Sequence, residues 1–278
     1  MKEKILKLAM ENRISAVGIC DINSYIENSR GLLEKASFCA TGDVPDNAKS
    51  VIVCVFSYYA GEQKGNISRY ARGIDYHIVA KEKMEHICDF LRDEGFFAES
   101  FADTGTLNER LLAKLSGIAF IGKNQMAINE NLGSYFFIGY ILTDCELQCD
   151  EPNTNACKNC GKCIAACPLG ALSQNGFCEE KCLSYITQKK GELSEQEREA
   201  IRKTKTIWGC DICQEVCPHN KGIEVTDIEE FKKDLILELK IEENISNKEF
   251  KKLYSNRAFS WRGKAVLQRN AKIVSGDI

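Results

Sequence analysis

The sequence predicts a protein of the α/β (α+β) class in which a mixed domain is fused to a small cysteine-rich module. Two observations lead to this prediction. Helical and strand-like patterns alternate over the first 145 residues, and 11 of the 15 cysteines fall between Cys145 and Cys217. Alternating helices and strands are typical of a sheet covered by helices. We therefore expect an α/β domain at 1–148, a cysteine module at 149–222 and a basic helical segment at 223–278.

The spacing of apolar residues assigns the elements of the first domain in chain order. Intervals of three and four predict helices, and short β-branched runs predict buried strands. Helices are predicted around 5–9 and at 24–35, 75–95 and 107–115, and strands at 16–20, 51–58, 97–101, 125–129 and 134–142. The continuous apolar run at 51–58 is typical of a buried strand, so we expect a mainly parallel interior. A further charged helix is expected at 224–247.

Composition excludes several classes of protein. The net charge is −3, and no apolar run approaches the roughly 18 residues that a membrane span needs. The first residues form a mixed-charge amphipathic pattern without a cleavage site, so we expect neither a signal peptide nor membrane attachment but a cytoplasmic protein. No Gly-x-Gly-x-x-Gly sequence follows a predicted strand, which leaves a Rossmann-type nucleotide site without support.

In a reducing compartment, clustered thiols serve as metal ligands rather than as disulfides. Four cysteines outside the cluster lie in apolar surroundings and are expected to be small core residues: Cys20, Cys39, Cys54 and Cys88. Inside the cluster, Cys157-x2-Cys160-x2-Cys163-x3-Cys167-Pro168 has the bacterial ferredoxin spacing, and Cys210-x2-Cys213-x3-Cys217-Pro218 repeats it with one cysteine missing. This arrangement predicts two [4Fe–4S] clusters.

In such a run, the fourth cysteine binds the other cluster. The first cluster is therefore expected to take Cys157, Cys160, Cys163 and Cys217. The second would take Cys167, Cys210, Cys213 and a cysteine from the intervening segment, which the spacing leaves open between Cys178 and Cys182. A pair of zinc sites built from the CxxC units is the alternative, and the repeated CxxCxxxCP pattern argues against it.

The last 31 residues are basic, with eight Lys and Arg against two acids from Lys248 to Ile278. Four aromatic residues are interleaved with these charges: Phe250, Tyr254, Phe259 and Trp261. Two interpretations are open. The segment could be a solvated structural helix, or it could face phosphates, because basic side chains near aromatic rings suit single-stranded nucleic acid.

Several segments in a fixed order resemble the epoxyqueuosine reductase family, cobalamin-dependent iron–sulfur enzymes that complete queuosine at the wobble position of tRNA. They are 69–77 (RYARGIDYH), Asp103, 117–124 (GIAFIGKN), 133–139 (GSYFFIG), the ferredoxin run, 182–185 (CLSY) and 209–213 (GCDIC). The resemblance runs from about residue 10 to about residue 275. It implies a corrinoid-binding domain related to reductive dehalogenases, a ferredoxin-like double-cluster module, and a base-off cobalamin held between them.

The resemblance also implies roles for individual residues. Asp103 matches the general acid over the cobalt face, and the Cys-x-Ser-Tyr motif selects Cys182 over Cys178 and puts Ser184 near the corrin. Further cofactor-binding candidates are Cys210, Asp211, Arg69, Tyr70 and Ile138, with His77 a weaker one. The implied partners are tRNA that carries epoxyqueuosine and an external electron donor such as a flavodoxin or ferredoxin, with the protein a monomer. A related corrinoid reductase of another small molecule, or a non-catalytic electron carrier, is the alternative.

The chain departs from the family pattern in three places. Thr104-Gly105-Thr106 replaces the usual Ser-Ala-Pro after the acid, and Phe120 replaces a common Trp. The chain also ends at Ile278, where many members continue into a helical-repeat domain that helps to hold tRNA. We expect the chemistry to be less affected by these departures than the recognition of tRNA.

Overall fold

The computed structural model describes residues 1–33, 44–45 and 47–277. Two compact units are present: unit 1 consists of 1–57, 77–122 and 126–158, and unit 2 consists of 58–76, 123–125 and 159–278. Cys39, one of the expected core cysteines, lies outside the described residues. Among the described helices, none combines the length and apolar character needed to cross a membrane.

Unit 1 is built on a four-stranded sheet with the order β1-β2-β6-β3. The strands are β1 (Ala16–Asp21), β2 (Ser50–Ser57), β3 (Ala98–Phe101) and β6 (Phe136–Thr143). Every pair in this sheet is antiparallel, with Val53 opposite Gly18 on one side and Tyr140 on the other. The expectation of a mainly parallel interior is therefore wrong, although the mixed helix–strand class is confirmed.

All of β2 is buried, but not because it lies in a parallel sheet, as the sequence suggested. Unit 1 contains α1 (Lys2–Glu11), α2 (Ile22–Leu33), α3 (Tyr76–Asp93) and α4 (Glu109–Leu115). Helices α2 and α4 pack on β1, as does α1, while the Met84 side chain of α3 lies against Gly139 of β6. Because helices cover both faces, all eight residues of β2 are buried. A central strand of an antiparallel sheet then has the same apolar pattern as a parallel one.

Local signals set the ends of several of these elements. The side chain of Asn108 accepts a hydrogen bond from the Leu111 amide at 3.0 Å, which caps the start of α4. The predicted strands near 125 and 134 appear as β5 (Ala127–Ile128), which pairs with β4 (Phe120–Ile121), and as β6. Asn129 and Gly133 pair across the turn between β5 and β6.

Unit 2 contains many short elements around two apolar cores. Its helices are α5 (Lys162–Ala166), α6 (Leu183–Gln188), α7 (Glu195–Thr204), α8 (Ile212–Glu215), α9 (Asn247–Tyr254) and α10 (Lys264–Ser275), and its strands are β7 (Leu172–Ser173) and β8 (Gly176–Phe177). One core surrounds Trp208 and Phe259, and the other surrounds Ile186 and Ile201. The charged helix expected at 224–247 is wrong: the described segment contains a single 3-10 turn, Glu229–Phe231.

The segment 58–76 lies between β2 and α3 in the chain but belongs to unit 2. Ile67 forms a parallel bridge with Trp208, and the Ser68 amide donates to the Trp208 carbonyl at 2.8 Å. Arg257, 8% exposed, donates to the carbonyls of Arg72 and Asp234, both at 3.0 Å. These contacts join segment 58–76 to the later parts of unit 2.

The approach of α4 to β1 requires a glycine at position 18. A Cβ atom there would lie 2.1 Å from the Ser116 carbonyl oxygen, a backbone atom that no side-chain rotation can move.

We therefore expect Gly18→Ala to lower the free energy of unfolding by about 3 kcal/mol or more, measured by urea unfolding. The control is Gly95→Ala, where φ is +89° and no atom lies within 4 Å of the added Cβ. It should cost only backbone strain, about 1 kcal/mol, and equal losses for the two variants would contradict this account.

Candidate functional site

The two cysteine motifs of unit 2 share several backbone features. The residues before Cys160 and Cys210, Asn159 and Gly209, have left-handed φ angles of 51° and 71°. Cys167 and Cys217, which precede the prolines, are both extended, with φ and ψ of −66° and 117° for the first and −74° and 125° for the second. A following proline favours this extended conformation. The two halves are therefore alike in these features, although φ is 72° at Gly161 and −110° at the equivalent Asp211.

Helices α5 and α8, which carry Cys163 and Cys213, pack against each other. This contact brings together the two halves of the repeat, and each half then ends on its Cys-Pro pair. Such a contact is needed in a double-cluster module, because the Cys-Pro cysteine of each half binds the cluster of the other half.

Four thiols of unit 2 interact electrostatically with one another: those of Cys167, Cys182, Cys210 and Cys213. Burial is the main cause that raises the pKa of Cys210 to about 12, and the thiols of Cys182 and Cys167 act in the same direction. The pKa of Cys213 is raised by burial and by the other three thiols. Cys178, the alternative fourth ligand, is exposed.

The remaining cysteines of the motifs differ in exposure. Cys163 and Cys217 are buried, Cys160 is exposed, and Cys157 belongs to unit 1. Among the described residues, no group of three or more His, Cys, Asp or Glu is arranged to hold a single metal ion. The fit to iron–sulfur clusters therefore rests on thiol chemistry, spacing and mutual placement, since thiolates are the ligands that such clusters take.

Asp211, between the two cysteines of the second CxxC unit, is buried and hydrogen-bonded within unit 2. Its carboxylate accepts from the Ser68 hydroxyl at 2.5 Å and from the Arg69 amide at 2.8 Å. Burial raises the pKa of this carboxyl despite those two donors. Both oxygens are engaged, so the side chain fixes the turn of segment 58–76 that begins at Ser68.

Arg69 and Tyr70 follow in that turn and also have partners inside unit 2. The Arg69 guanidinium donates to the Gly61 carbonyl at 2.6 Å and to the Glu62 carboxylate at 3.2 Å. The Tyr70 hydroxyl accepts from the indole N–H of Trp208 at 2.8 Å, and Trp208 is completely buried. The turn carrying these two candidates is thus tied to the residues just before Cys210.

The other two cofactor-binding candidates lie in different settings. Ser184 is in the first turn of α6 and is half-buried. The Thr187 hydroxyl, one turn later, accepts from the Gly209 amide at 2.9 Å and so connects α6 to the second CxxC unit. Ile138 is buried in β6 within the apolar core of unit 1, opposite Val55.

Asp103 follows β3 in unit 1 and has a left-handed backbone, with φ of 61°. Non-glycine residues rarely adopt this conformation, which persists where the surroundings hold it. Here the Asp103 amide donates to the Glu109 carboxylate at 2.5 Å. The Asp103 carboxylate itself lies 3.3 Å from Nε2 of His77, and its side chain is 60% exposed. Glu109 therefore holds the backbone of Asp103, while the Asp103 carboxylate stays accessible to solvent.

The loop after Asp103 closes on Tyr140. The Tyr140 hydroxyl accepts from the Leu107 amide at 3.1 Å, and a Cβ atom at Gly105 would lie 2.0 Å from that same oxygen. The Thr-Gly-Thr sequence that departs from the family pattern therefore fits a tight approach of backbone to a buried tyrosine.

Sequence reasoning missed Glu109 and Ser68, which hold the two candidate segments in place. An acid in the first turn of the predicted helix 107–115 was a usable signal for Glu109, because such residues often bond to preceding amides. No sequence pattern indicated Ser68, since its partner Asp211 is 143 residues away.

Two family models match segments of this chain. Residues 42–104 match the family described as epoxyqueuosine reductase QueG, DUF1730, and residues 156–220 match the 4Fe-4S double cluster binding domain. The epoxyqueuosine reductase of Lactococcus garvieae is 32% identical over 100% of this chain and 87% of its own length. Those of Listeria monocytogenes and Bacillus anthracis are 39% and 36% identical over 77% and 81% of this chain, which spans 58% and 63% of their length.

Solved structures extend the comparison. An epoxyqueuosine reductase crystallised with an epoxyqueuosine-modified stem loop of tRNA-Tyr has a TM-score of 0.82 at 29% identity, covering 98% of this chain and 80% of that one. A catabolic reductive dehalogenase, NpRdhA, has a TM-score of 0.54 at 16% identity, covering 99% of this chain and 35% of that one, which shows a shared fold.

The Glu109 anchor predicts a specific dependence of stability on pH. Burial raises the pKa of Glu109 from 4.5 to about 7. Between these values the folded protein keeps a proton that the unfolded chain releases, so stability falls as the pH rises and then levels off above pH 7. Glu109→Gln should remove this fall, so the variant should gain about 1–3 kcal/mol relative to the native protein between pH 5 and pH 8 in urea unfolding.

The matched control for this prediction is Glu99→Gln, which alters an exposed carboxyl on β3. It should leave the pH dependence of the native protein unchanged. Parallel stability curves for the native protein and Glu109→Gln across this range would contradict the raised pKa of Glu109.

Proposed function

Because this chain belongs to the epoxyqueuosine reductase family, we propose that it reduces the epoxide of epoxyqueuosine in tRNA to the alkene of queuosine. The observation that carries this proposal is Asp103: an accessible carboxylate whose left-handed backbone is held by Glu109, beside His77. That arrangement suits a proton donor that must stay in place while its carboxyl group reaches a substrate.

The proposed cofactors are two [4Fe–4S] clusters and a base-off cobalamin. The first cluster would be held by Cys157, Cys160, Cys163 and Cys217, and the second by Cys167, Cys182, Cys210 and Cys213. The soft thiol donors fit the clusters. When bound, the cobalamin would supply low-potential electrons to the epoxide carbon. The unit 2 residues suited to the corrin are Ser184 and Cys210, with Arg69, Tyr70 and Asp211 supporting the adjoining turn; on unit 1, Ile138 is the remaining candidate.

The reaction consumes two electrons and two protons per epoxide and releases one water molecule. One carbon–oxygen bond opens first, and the second breaks when the alkene forms. An alkoxide or hydroxide is a poor leaving group, so protonation of the departing oxygen lowers the barrier. We assign this proton to the Asp103 carboxyl. His77, 3.3 Å from that carboxyl, is placed to return a proton to it from solvent.

The protonation state of the buried thiols affects cluster binding. Their pKa values are raised by burial, so these thiols are neutral without a cluster and must lose their protons when iron binds. Of the proposed ligands of the first cluster, Cys160 is exposed, and we propose that an external donor such as a flavodoxin or ferredoxin delivers electrons on that side. We further propose that the protein acts as a monomer in the cytoplasm, where its tRNA substrate is found.

The fourth ligand of the second cluster provides a matched pair of variants. Protein purified without oxygen should contain about eight iron and eight sulfide per chain. Cys182→Ala should lose about half of the iron, whereas Cys178→Ala, four residues earlier and exposed, should keep all of it. Iron and acid-labile sulfide analysis gives the result, and equal iron content in the two variants, or stoichiometric zinc in the native protein, would contradict the assignment.

The role of Asp103 predicts a selective loss of turnover. Asp103→Asn keeps the shape of the side chain but cannot donate an acidic proton, so reduction of epoxyqueuosine should slow by about 10²–10⁴-fold. Cobalamin and iron content should not change. His77→Gln is the comparison: a relay residue should cost less than the acid and change the pH profile. Near-native turnover by Asp103→Asn would remove Asp103 from the mechanism.

A further inference from the structure

The basic tail divides into two parts that the sequence did not separate. Its aromatic residues Phe250 and Phe259 are buried, and Tyr254 lies between them with ring centroids 5.2 and 5.5 Å away. Trp261, by contrast, is 63% exposed. Of the two tryptophans in the chain, Trp208 forms the core of unit 2 and Trp261 faces solvent.

Several of the tail's charges are also structural. Arg257 donates to the carbonyls of Arg72 and Asp234, Arg269 donates to the carbonyls of Lys189 and Gly191, and Lys272 pairs with Glu243 at 2.8 Å. Lys264 donates to the Ile245 carbonyl. These four side chains already have partners within unit 2, so they are poorly placed to bind another molecule.

The remaining lysines form a stripe along α9. Lys248, Lys251 and Lys252 are spaced at intervals of three and four, so they share one helix face, and all three are exposed. Across the described part of the chain, none of them has a carboxylate within ion-pair distance. Glu249, the acid of this helix, is occupied with its N-terminal cap at Ser246. Like charges at this spacing repel, and an anionic partner would relieve that repulsion.

The side chain of Arg262 stacks on the exposed indole ring of Trp261. The guanidinium carbon of Arg262 lies 3.7 Å from the centre of that ring. Its Nε atom is buried and, within the described residues, has no hydrogen-bond partner. An exposed indole stacked on a guanidinium offers a nucleobase a flat apolar face together with positive charge.

The position of this pair within unit 2 connects it to the candidate site. The 3-10 helix Ala258–Arg262 packs on the short helix Arg69–Ala71, which carries Arg69 and Tyr70. Phe259 of the same helix belongs to the core that contains Trp208. The Trp261–Arg262 pair is therefore displayed from the element that supports the candidate cofactor turn.

We propose that Trp261, stacked on Arg262, is a platform for an unpaired base of the RNA substrate, and that Lys248, Lys251 and Lys252 contact the adjoining phosphates. This inference rests on the proposed function only for the identity of the RNA, a tRNA anticodon loop. Stacking and charge make separate contributions: the indole contributes affinity without salt dependence, whereas the lysines contribute affinity that falls with salt.

The test measures the affinity of the cluster- and cobalamin-loaded protein for a fluorescein-labelled anticodon stem-loop by anisotropy, over a series of salt concentrations. Trp261→Ala should weaken binding by about 5- to 150-fold without changing the slope of log affinity against log salt. Trp261→Phe should recover most of the affinity. The double variant Lys251→Ala/Lys252→Ala should flatten the slope by about 0.7 for each phosphate that the protein no longer neutralises.

Two further variants serve as controls. Leu253→Ala removes another exposed apolar side chain, 58% exposed, and Lys7→Ala removes a cation that is 77% exposed on unit 1. Both should bind the RNA as the native protein does. Thermal unfolding of each variant checks that the fold is kept, since Trp261 and Leu253 contribute little to the core.

Binding by Trp261→Ala within about twofold of the native value would overturn the inference, because stacking of a base contributes more than that. So would a native dimer, seen by light scattering, that Trp261→Ala converts to monomer without loss of RNA affinity, because the face would then join two copies of the chain. Reduction of epoxyqueuosine in tRNA is assayed in parallel. A native protein that binds RNA through Trp261 but reduces no epoxyqueuosine would contradict the proposed function and leave the platform standing.

Discussion

The organisation of unit 2 depends on cysteine thiols that are buried and, without a cluster, neutral. Helices α5, α6 and α8 are four to six residues long, far shorter than a helix that is stable by itself. They are held by their neighbours: α5 by α8, α6 by the Thr187–Gly209 hydrogen bond, and the turn at Ser68 by Asp211. Iron–sulfur ligation converts the neutral buried thiols to thiolates bound to a cationic centre, so folding and cluster binding are coupled.

Unit 1 carries Asp103, the carboxyl group that we propose as the proton donor. An antiparallel sheet covered on both faces ends at β3, and Asp103 follows at once in a backbone conformation that Glu109 holds. Helix α4, which carries Glu109, is itself fixed to β1 through the close contact at Gly18. The position of the proposed proton donor is thus set by the packing of the whole unit, and the carboxylate remains in contact with solvent.

Much of this could be predicted from the sequence, and the failures have physical causes. Cysteine spacing predicts a double-cluster module because a cluster fixes its ligands geometrically, and helices such as α3 follow from apolar periodicity. The parallel interior was wrong because β2 is covered by helices on both faces, which gives the same apolar pattern in either direction. The helix at 224–247 was wrong because charge content alone does not specify a helix. Contacts such as Ser68–Asp211, and the opposite environments of Phe259 and Trp261, depend on residues distant in sequence, so no local pattern could indicate them.

The most direct test of the proposed function is the reaction itself. The protein, loaded with both clusters and cobalamin and supplied with a chemical reductant in the absence of oxygen, is incubated with tRNA that carries epoxyqueuosine, and the digested nucleosides are identified by mass spectrometry. We expect conversion of epoxyqueuosine to queuosine, with loss of one oxygen atom, that requires cobalamin in the mixture. Epoxyqueuosine that remains unchanged while both clusters are fully reduced would contradict the proposed function.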